Sequence, residues 1–221
     1  MSYYEKAMKF ELSRCKEIEL DRRRPLYIHG ETYHMDFVRK MLKEPFGGRA
    51  LDVGCGTGIV VDGLSKLGFD VVGVDLIPQN VTTKGHDVRK IDLNFEPLPF
   101  PDDNFDVVLC ISVLEHLFFP RYVLKEIMRV LKPNGYAVLS IPNEFHSYTR
   151  LYILFGRPLF SGPFDVLIHH YYPTVSTARE FVNEQCVIEK ELYDYQPLGL
   201  FRFWPSLFAR NIYYRCTPRT E

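Results

Sequence analysis

The chain has 221 residues, of which 46% are hydrophobic and 25% charged, and its formal net charge is −1. This length suits a single α/β domain with terminal additions, and the composition provides a full hydrophobic core and excludes an intrinsically disordered chain. The near-neutral charge excludes a global basic field, so we expect no nucleic acid as a partner.

The five cysteines are scattered along the chain and form no C-x-x-C pair. This pattern predicts free thiols in a reducing compartment rather than a disulfide framework or a zinc site. The first twenty residues alternate charges without an apolar stretch, so no signal peptide is expected, and no run is long enough to span a bilayer. We therefore expect a cytoplasmic protein.

Two helices are predicted before the central motif, which makes residues 1–48 a helical N-terminal extension. The first covers residues 3–20, where apolar side chains recur at helical spacing, and the second covers Thr32–Lys43. The Arg22–Arg24 run between them is interpreted as a solvated turn, with a lipid or phosphate contact as the alternative.

Three glycines at alternate positions form the motif around which the chain is organised. Residues 50–53 are a short apolar run, typical of a buried strand, and Gly54, Gly56 and Gly58 then lead into a predicted helix. Glycines at such a turn let backbone N–H groups approach a ligand, because no Cβ stands in the way.

The strand after this helix ends on Asp75, where a carboxylate can accept hydrogen bonds from a ribose diol. A dinucleotide-binding turn has the pattern G-x-G-x-x-G, and this chain carries Ile59 where the third glycine would stand. The G-x-G-x-G spacing led by Asp52 instead resembles motif I of the class I S-adenosylmethionine (SAM)-dependent methyltransferases. On the glycines alone a dehydrogenase and a turn without a ligand remain alternatives.

Strands and helices alternate through the next part of the chain, which predicts right-handed βαβ crossovers and a parallel sheet. Gly135 lies in a Pro-Asn-Gly turn and is expected to supply a positive φ. The predicted elements are a weak strand over 84–91, an irregular loop over 92–106, a strand over 107–111, a helix over 120–131, a turn over 132–135 and a strand over 136–141.

The pattern changes after Asn143. Residues 145–172 are rich in aromatic residues without a clean period, and we interpret them as a helix plus a loop covering the carboxyl edge of the sheet. The remaining predicted elements are a helix capped by Thr174 or Ser176 and ending at 183, a strand over 187–193 and a last strand over 211–216.

From Ala50 to Asn143 the chain resembles the class I SAM-dependent methyltransferase family, and residues 170–181 resemble its ubiquinone O-methyltransferase-like branch. The segments that carry the resemblance, in the family's order, are 51–58, Asp75, Asp92-Leu93, 98–108, 111–117 and 130–136. The resemblance implies a single Rossmann-like, doubly wound α/β domain with a seven-stranded, mostly parallel sheet whose last strand is antiparallel. Within it, 49–143 would be the SAM-binding core and 144–221 the acceptor-side lid and C-terminal strands.

The resemblance also implies the cofactor contacts, all at strand ends on the carboxyl edge of the sheet, where such folds place ligands. The methionine end of SAM would meet Asp52, the Gly54-Cys55-Gly56 turn and the carbonyl of Ile111. The ribose would meet Asp75, which Leu76 follows. The adenine would meet Asp92 and the N–H of Leu93.

The chemistry of methyl transfer requires alignment, exclusion of water and, for a hydroxyl acceptor, a base. His116 is the candidate base, with a backbone-bonded structural histidine as the alternative, and Glu115 either assists it or orders the loop. Small-RNA 2′-O-methyltransferases hold a metal with a similar Glu-x-x-Glu-His and a distant His. Here Ser112 stands at the first Glu position. The remaining ligands, Glu115 and His116 with His169 or His170, form an incomplete set, so no metal is expected.

We therefore expect a SAM-dependent methyltransferase, O-directed, with a small or lipid-like acceptor and in-line transfer. A non-catalytic SAM-binding module is the alternative. Aromatic residues crowd 145–164 and 201–208, interleaved with Arg150, Arg157, Arg202 and Arg210. They predict an apolar, cation-rimmed mouth for an amphiphile and a weak contact with a membrane surface, while core packing and a homodimer surface are the alternative.

Overall fold

The computed structural model describes residues 34–78, 85–156, 170–195 and 203–219, so the helix predicted over 3–20 and the Arg22–Arg24 run lie outside the described residues. In chain order the elements are α1 (34–41), β1 (Gly48–Val53), α2 (Ile59–Lys66), β2 (Phe69–Asp75), β3 (Asp87–Lys90), β4 (Phe105–Ile111), a 3-10 helix (Leu114–His116), α3 (Pro120–Val130), β5 (Leu131–Pro142), α4 (Ser147–Leu154), α5 (Val175–Gln185), β6 (Cys186–Asp194), α6 (Pro205–Phe208) and β7 (Asn211–Pro218).

The seven strands form one sheet in the order β3-β2-β1-β4-β5-β7-β6. The strands β1 to β5 pair in parallel, and β7 runs antiparallel to both β5 and β6. The predicted α/β sheet with an antiparallel last strand is therefore confirmed. The strand order reverses between β1 and β4, and the crevice at the carboxyl ends of these strands is where open α/β sheets bind ligands.

Both faces of the central strands are buried, which explains their continuous apolar sequence. Leu51 and Val53 of β1 face a cluster that α3 and α5 complete, whereas Ala50 faces the cluster completed by α1 and α2. Complete burial of each Val or Leu side chain contributes about 1.5–3 kcal/mol. The two clusters hold the sheet rigid, so the positions of its strand ends are well defined.

The turn predicted at 132–135 is a bulge inside β5. Leu131 and Tyr136 both pair with β4, and the residues between them leave the ladder. Gly135 does not have the positive φ predicted for it, and that prediction is wrong. A Cβ at Gly135 would lie 3.0 Å from three backbone carbonyl oxygens, so close approach of the chain explains the glycine instead.

The 3-10 helix and α6 were not predicted, and the other differences lie at element ends. β4 begins at Phe105, two residues before the predicted start, because the strand continues into the loop that precedes it. Thr174 caps α5 in a capping box with Thr177, as one of the two predicted caps. The helix predicted within 145–172 is α4, and 157–169 lie outside the described residues.

Cysteine side chains in the described ranges are free thiols, all of them buried: Cys55, Cys110, Cys186 and Cys216. This observation agrees with the predicted absence of a disulfide framework for these four residues. None of the helices within the described ranges is long and apolar enough to cross a membrane.

Candidate functional site

The glycine turn between β1 and α2 is left-handed at three positions. Gly54, Gly56 and Gly58 have φ values of +73°, +51° and +82°, a region that residues with a Cβ rarely adopt. The N–H groups of Gly54 and Cys55 both donate to the carbonyl oxygen of Val74, at 2.8 and 3.0 Å. The turn is therefore held against the end of β2.

Gly54 is also required by packing. A Cβ at this position would lie 2.4 Å from Cγ2 of Val113, a side chain in the segment after β4. The missing side chain thus lets the loops that follow β1 and β4 approach each other. This is a second reason for the glycine, besides the access to a ligand that the sequence suggested.

Asp75 joins the end of β2 to the glycine turn. Its Oδ2 accepts a hydrogen bond from the Gly56 N–H at 2.9 Å, and its Oδ1 accepts one from the Ile77 N–H at 2.8 Å. The residue is half-buried, as is Leu76 beside it. Each carboxylate oxygen has two lone pairs, so Asp75 can still accept hydrogen bonds from a ribose diol.

Asp92 and Leu93 follow β3 on the same edge. Oδ1 of Asp92 accepts from the Asn94 N–H at 3.1 Å, and Leu93 is 7% exposed. Oδ1 of Asn94 in turn accepts from the Phe118 N–H at 2.7 Å, which ties this loop to the segment after the 3-10 helix. The predicted adenine contacts therefore lie in a braced loop that is partly open to solvent.

The end of β4 is conformationally unusual. Ile111 is half-buried, and Ser112 after it has a φ of +55°. Such a backbone costs about 1–3 kcal/mol for a residue with a side chain and concentrates at functional sites. The Ser112 N–H donates to Oγ of Ser140 at 2.8 Å, and this hydrogen bond holds the strained residue in place.

The two predicted catalytic residues lie in the 3-10 helix and differ in exposure. Glu115 is only 4% exposed, and its carbonyl accepts from the His170 N–H at 2.7 Å. His116 is half-buried, and its N–H donates to the Val113 carbonyl at 2.9 Å. Their catalytic assignment remains a prediction.

Two buried carboxylates, those of Asp52 and Glu115, lie near the Cys110 thiol of β4. Asp52 is 2% exposed, and its negative charge and that of Glu115 both act on the thiol of Cys110. Burial, more than these charges, raises the pKa of the Cys110 thiol well above its usual value. Cys110 is therefore a neutral core residue.

The structure contains a polar network at the end of β4 that was not predicted from the sequence. Nδ1 of His34, on α1, lies 2.6 Å from the hydroxyl of Tyr213, and Nε2 lies 3.5 Å from Oγ of Ser112. Oγ of Ser112 lies 3.3 Å from Oγ of Ser140. No local pattern links His34 to Tyr213, because 179 positions separate them.

The described parts of the two predicted aromatic stretches, 145–156 and 203–208, contact each other and contain several exposed aromatic and aliphatic side chains. No residue of α4 is buried, and the exposed fractions are 76% for Leu154, 71% for Phe155 and 77% for Phe203. Arg150 donates to the carbonyl oxygens of Phe145 and, at 3.5 Å, of Ser206, which ties α4 to α6. Packing in the core therefore does not explain these side chains.

Within the described ranges, no three His, Cys, Asp or Glu side chains are grouped closely enough to hold a metal ion. His169, one of the residues in the metal alternative, lies outside those ranges.

Comparison with known proteins gives a family match over the same strands. Residues 51–139 match the model of a methyltransferase domain. A ubiquinone biosynthesis O-methyltransferase from Actinobacillus pleuropneumoniae is 28% identical over 122 residues, which are 50% of this chain and 52% of the relative. A second such enzyme, from Cereibacter sphaeroides, is 36% identical over 108 residues, which are 45% of this chain and 44% of the relative. The chain thus spans about half the length of these relatives.

A SAM-dependent methyltransferase structure from Thermotoga maritima has a TM-score of 0.66, with 18% identity, over 92% of this chain and 97% of that one. At this identity the similarity shows the fold alone. The family match covers every residue predicted to contact the cofactor. It agrees with SAM as the cofactor, and residues 51–139 form a SAM-dependent methyltransferase domain that is similar to the corresponding part of ubiquinone biosynthesis O-methyltransferases.

Proposed function

We propose that the protein transfers a methyl group from SAM to a hydroxyl oxygen of a small or lipid-like acceptor. The hydrogen bond from Gly56 to Asp75 is the observation that carries this proposal, because it joins the glycine turn to the carboxylate predicted to accept the ribose hydroxyls. The names of the relatives favour a hydroxylated aromatic compound as the acceptor.

The residues at the carboxyl edge suit SAM. Asp75 would accept the ribose hydroxyls, Asp92 and Leu93 would take the adenine, and Gly56 and Ile111 would meet the methionine end. Bound SAM supplies a methyl group activated by a sulfonium. The chain supplies alignment and excludes water, and alignment of two reactants alone is worth about 7–11 kcal/mol of an activation barrier.

The acceptor hydroxyl must also lose its proton. His116 is the base predicted from the sequence, and Glu115 orders the surrounding segment through its backbone contact with His170. If His116 is that base, His116→Gln should lower the rate of transfer and leave SAM affinity unchanged, whereas the rate should stay near that of the wild type if another group takes the proton.

We further propose that the exposed aromatic surface around α4 and α6 receives the apolar part of the acceptor or a membrane surface. The exposed rings of Phe203 and Trp204 provide apolar area, and Arg150 and Arg210 provide charge for anionic head groups. Binding to vesicles with anionic lipid should fall with added salt, since these charges are screened.

Substituting both Phe203 and Trp204 with Ser should weaken vesicle binding and leave SAM affinity unchanged. The matched control is Val187→Ser, which alters a side chain with 47% exposure at the opposite end of the sheet. Wild-type protein that ignores anionic vesicles at low salt would refute the membrane contact. A mass of twice the monomer in sedimentation would instead assign the surface to a homodimer.

Two measurements test the function itself. Calorimetry should show binding of SAM and no tight binding of NAD. Incubation with methyl-labelled SAM and phenols, including catechol and a prenylated catechol, should yield a methylated hydroxyl. Tight binding of NAD without SAM would refute the family-level proposal, whereas SAM binding without transfer to any hydroxyl would favour a non-catalytic SAM-binding module.

A further inference from the structure

The network around His34 lies where an acceptor would have to bind. Ser112 directly follows Ile111, the residue expected to meet the methionine end of SAM, and its left-handed backbone turns the chain at the end of β4. His34 lies 3.5 Å from Oγ of Ser112 and is half-buried, so part of its surface faces the outside of the core.

The imidazole of His34 is held by Tyr213, and the ring of Tyr213 is itself fixed in place. Its Nδ1 lies 2.6 Å from the hydroxyl of Tyr213, a fully buried residue of β7. Phe37, one turn further along α1, stacks on the Tyr213 ring with centroids 4.7 Å apart and planes at 7°. A ring fixed at Nδ1 directs Nε2 toward Ser112 and the end of β4.

The charges around His34 suit a group that accepts a proton and then stabilises it. Burial lowers the pKa of His34, so the imidazole is neutral near pH 7, and the carboxylate of Asp194 partly opposes this shift. Asp194 ends β6 and is 2% exposed, so its charge is poorly screened by water. The same charge favours the imidazolium once a proton has arrived.

We propose that His34 is the group that receives the proton of the acceptor hydroxyl. This inference rests on the proposed O-methyl transfer. The hydroxyl would lie beside this pair, within hydrogen-bond distance of both Nε2 of His34 and Oγ of Ser112, with Nδ1–H donating to Tyr213. The acceptor O–H bond would break and its proton would bond to Nε2. The oxygen electron pair would form the O–CH₃ bond as the methyl–sulfur bond breaks, which would leave a neutral thioether.

A structural bridge between α1 and β7 is the competing explanation for these contacts. It predicts that loss of His34 harms every acceptor equally. A proton acceptor predicts a selective loss, because an acceptor that ionises by itself near neutral pH needs no base. Catechol and 4-nitrocatechol form such a pair, since the nitro group makes the phenol more acidic.

The first test needs no methyl transfer. The protein is mixed with 4-nitrocatechol and the demethylated product of SAM, and the absorbance of the bound phenolate is followed against pH. In His34→Asn the transition should move upward by about 1 pKa unit or more, because the imidazole no longer takes the proton. A wild type that binds no probe, or an unchanged transition, would overturn the inference.

The second test measures transfer. His34→Asn should lose about 10²–10⁴-fold in kcat/KM with catechol, the typical contribution of a general base, and less than about tenfold with 4-nitrocatechol. SAM affinity should stay unchanged, which also confirms folding, and His34→Gln provides a second variant. The matched control is His86→Asn, a half-exposed histidine at the amino end of β3.

Each contrary result has its own meaning. Equal losses with both phenols would assign His34 a structural role and overturn the inference. A catechol-selective loss in the His116 variant but not in the His34 variant would restore the base predicted from the sequence. If the wild type transfers methyl groups to no hydroxyl, the proposed function fails and the inference falls with it.

Discussion

Replacing Gly54 with Ala tests how the glycine turn is held. The substitution places a Cβ in the left-handed region, which costs about 1–2 kcal/mol. It also places that Cβ 2.4 Å from Cγ2 and 3.0 Å from Cγ1 of Val113, and overpacking of this kind costs about 1–3 kcal/mol. The free energy of unfolding should therefore fall by about 2–5 kcal/mol.

Gly68→Ala separates the two contributions. Gly68 has a φ of +92°, but a Cβ there would meet nothing within 4 Å, so only the backbone strain remains. Urea unfolding should show that Gly54→Ala costs about 1–3 kcal/mol more than Gly68→Ala. Adding Val113→Ala should recover part of that difference, because it removes the two methyl groups in conflict.

SAM affinity should fall in the Gly54→Ala variant as well, because the turn that carries the cofactor contacts has to shift. Gly68→Ala lies at the other end of α2 and should leave SAM affinity unchanged. If the two variants have equal stability, the close approach of the loops after β1 and β4 does not explain the glycine, and the reasoning fails.

Three further predictions concern stability. Arg129→Lys should cost about 1–2 kcal/mol in urea unfolding, because a lysine cannot bond both Glu126 and the loop carbonyls, whereas exposed Arg121→Lys should be near neutral. Asn143→Ala should cost about 1–3 kcal/mol, because its buried side chain donates to the Ala209 carbonyl at 2.8 Å; a smaller loss would show that water replaces it. Unfolding free energy should decrease as pH falls below 6.5, because burial lowers the pKa of both His34 and His146, and the unfolded chain then binds more protons; an increase over that window would contradict this.

The strand ends were predictable because each is marked locally. An apolar run followed by a glycine or a carboxylate identifies where a buried strand stops, and parallel strands bring those stops to one edge. Asp75 was placed correctly at the end of β2, and the contact between its carboxylate and Gly56 follows from that topology. The cofactor assignments themselves remain predictions.

Contacts between distant parts of the chain were not predictable in the same way. His34 appears in the sequence as one polar residue of an amphipathic helix, and nothing nearby indicates that Tyr213 lies against it. The reason for Gly135 is likewise nonlocal, since the three carbonyl oxygens around its Cβ position come from both sides of a bulge. Whether the aromatic stretches are exposed also depends on tertiary packing, which the spacing of apolar residues in the sequence does not indicate.

The exposed surface around α4 illustrates the limit of a pattern. An apolar helix predicts burial, yet every residue of α4 retains some exposure. An apolar segment can be removed from water by a protein core, a ligand, a bilayer or a second chain. The same apolar sequence suits each of these four settings, so the sequence alone does not distinguish them.

Calorimetric titration of SAM into the wild type and Asp75→Ala tests the central claim most directly. Two charge-assisted hydrogen bonds to the ribose, each worth about 1.5–3 kcal/mol, predict a dissociation constant at least about a hundredfold higher in the variant. Asp70→Ala, with an 80% exposed carboxylate at the other end of β2, should bind SAM like the wild type. An unchanged dissociation constant in folded Asp75→Ala would contradict the placement of the SAM site at this edge of the sheet.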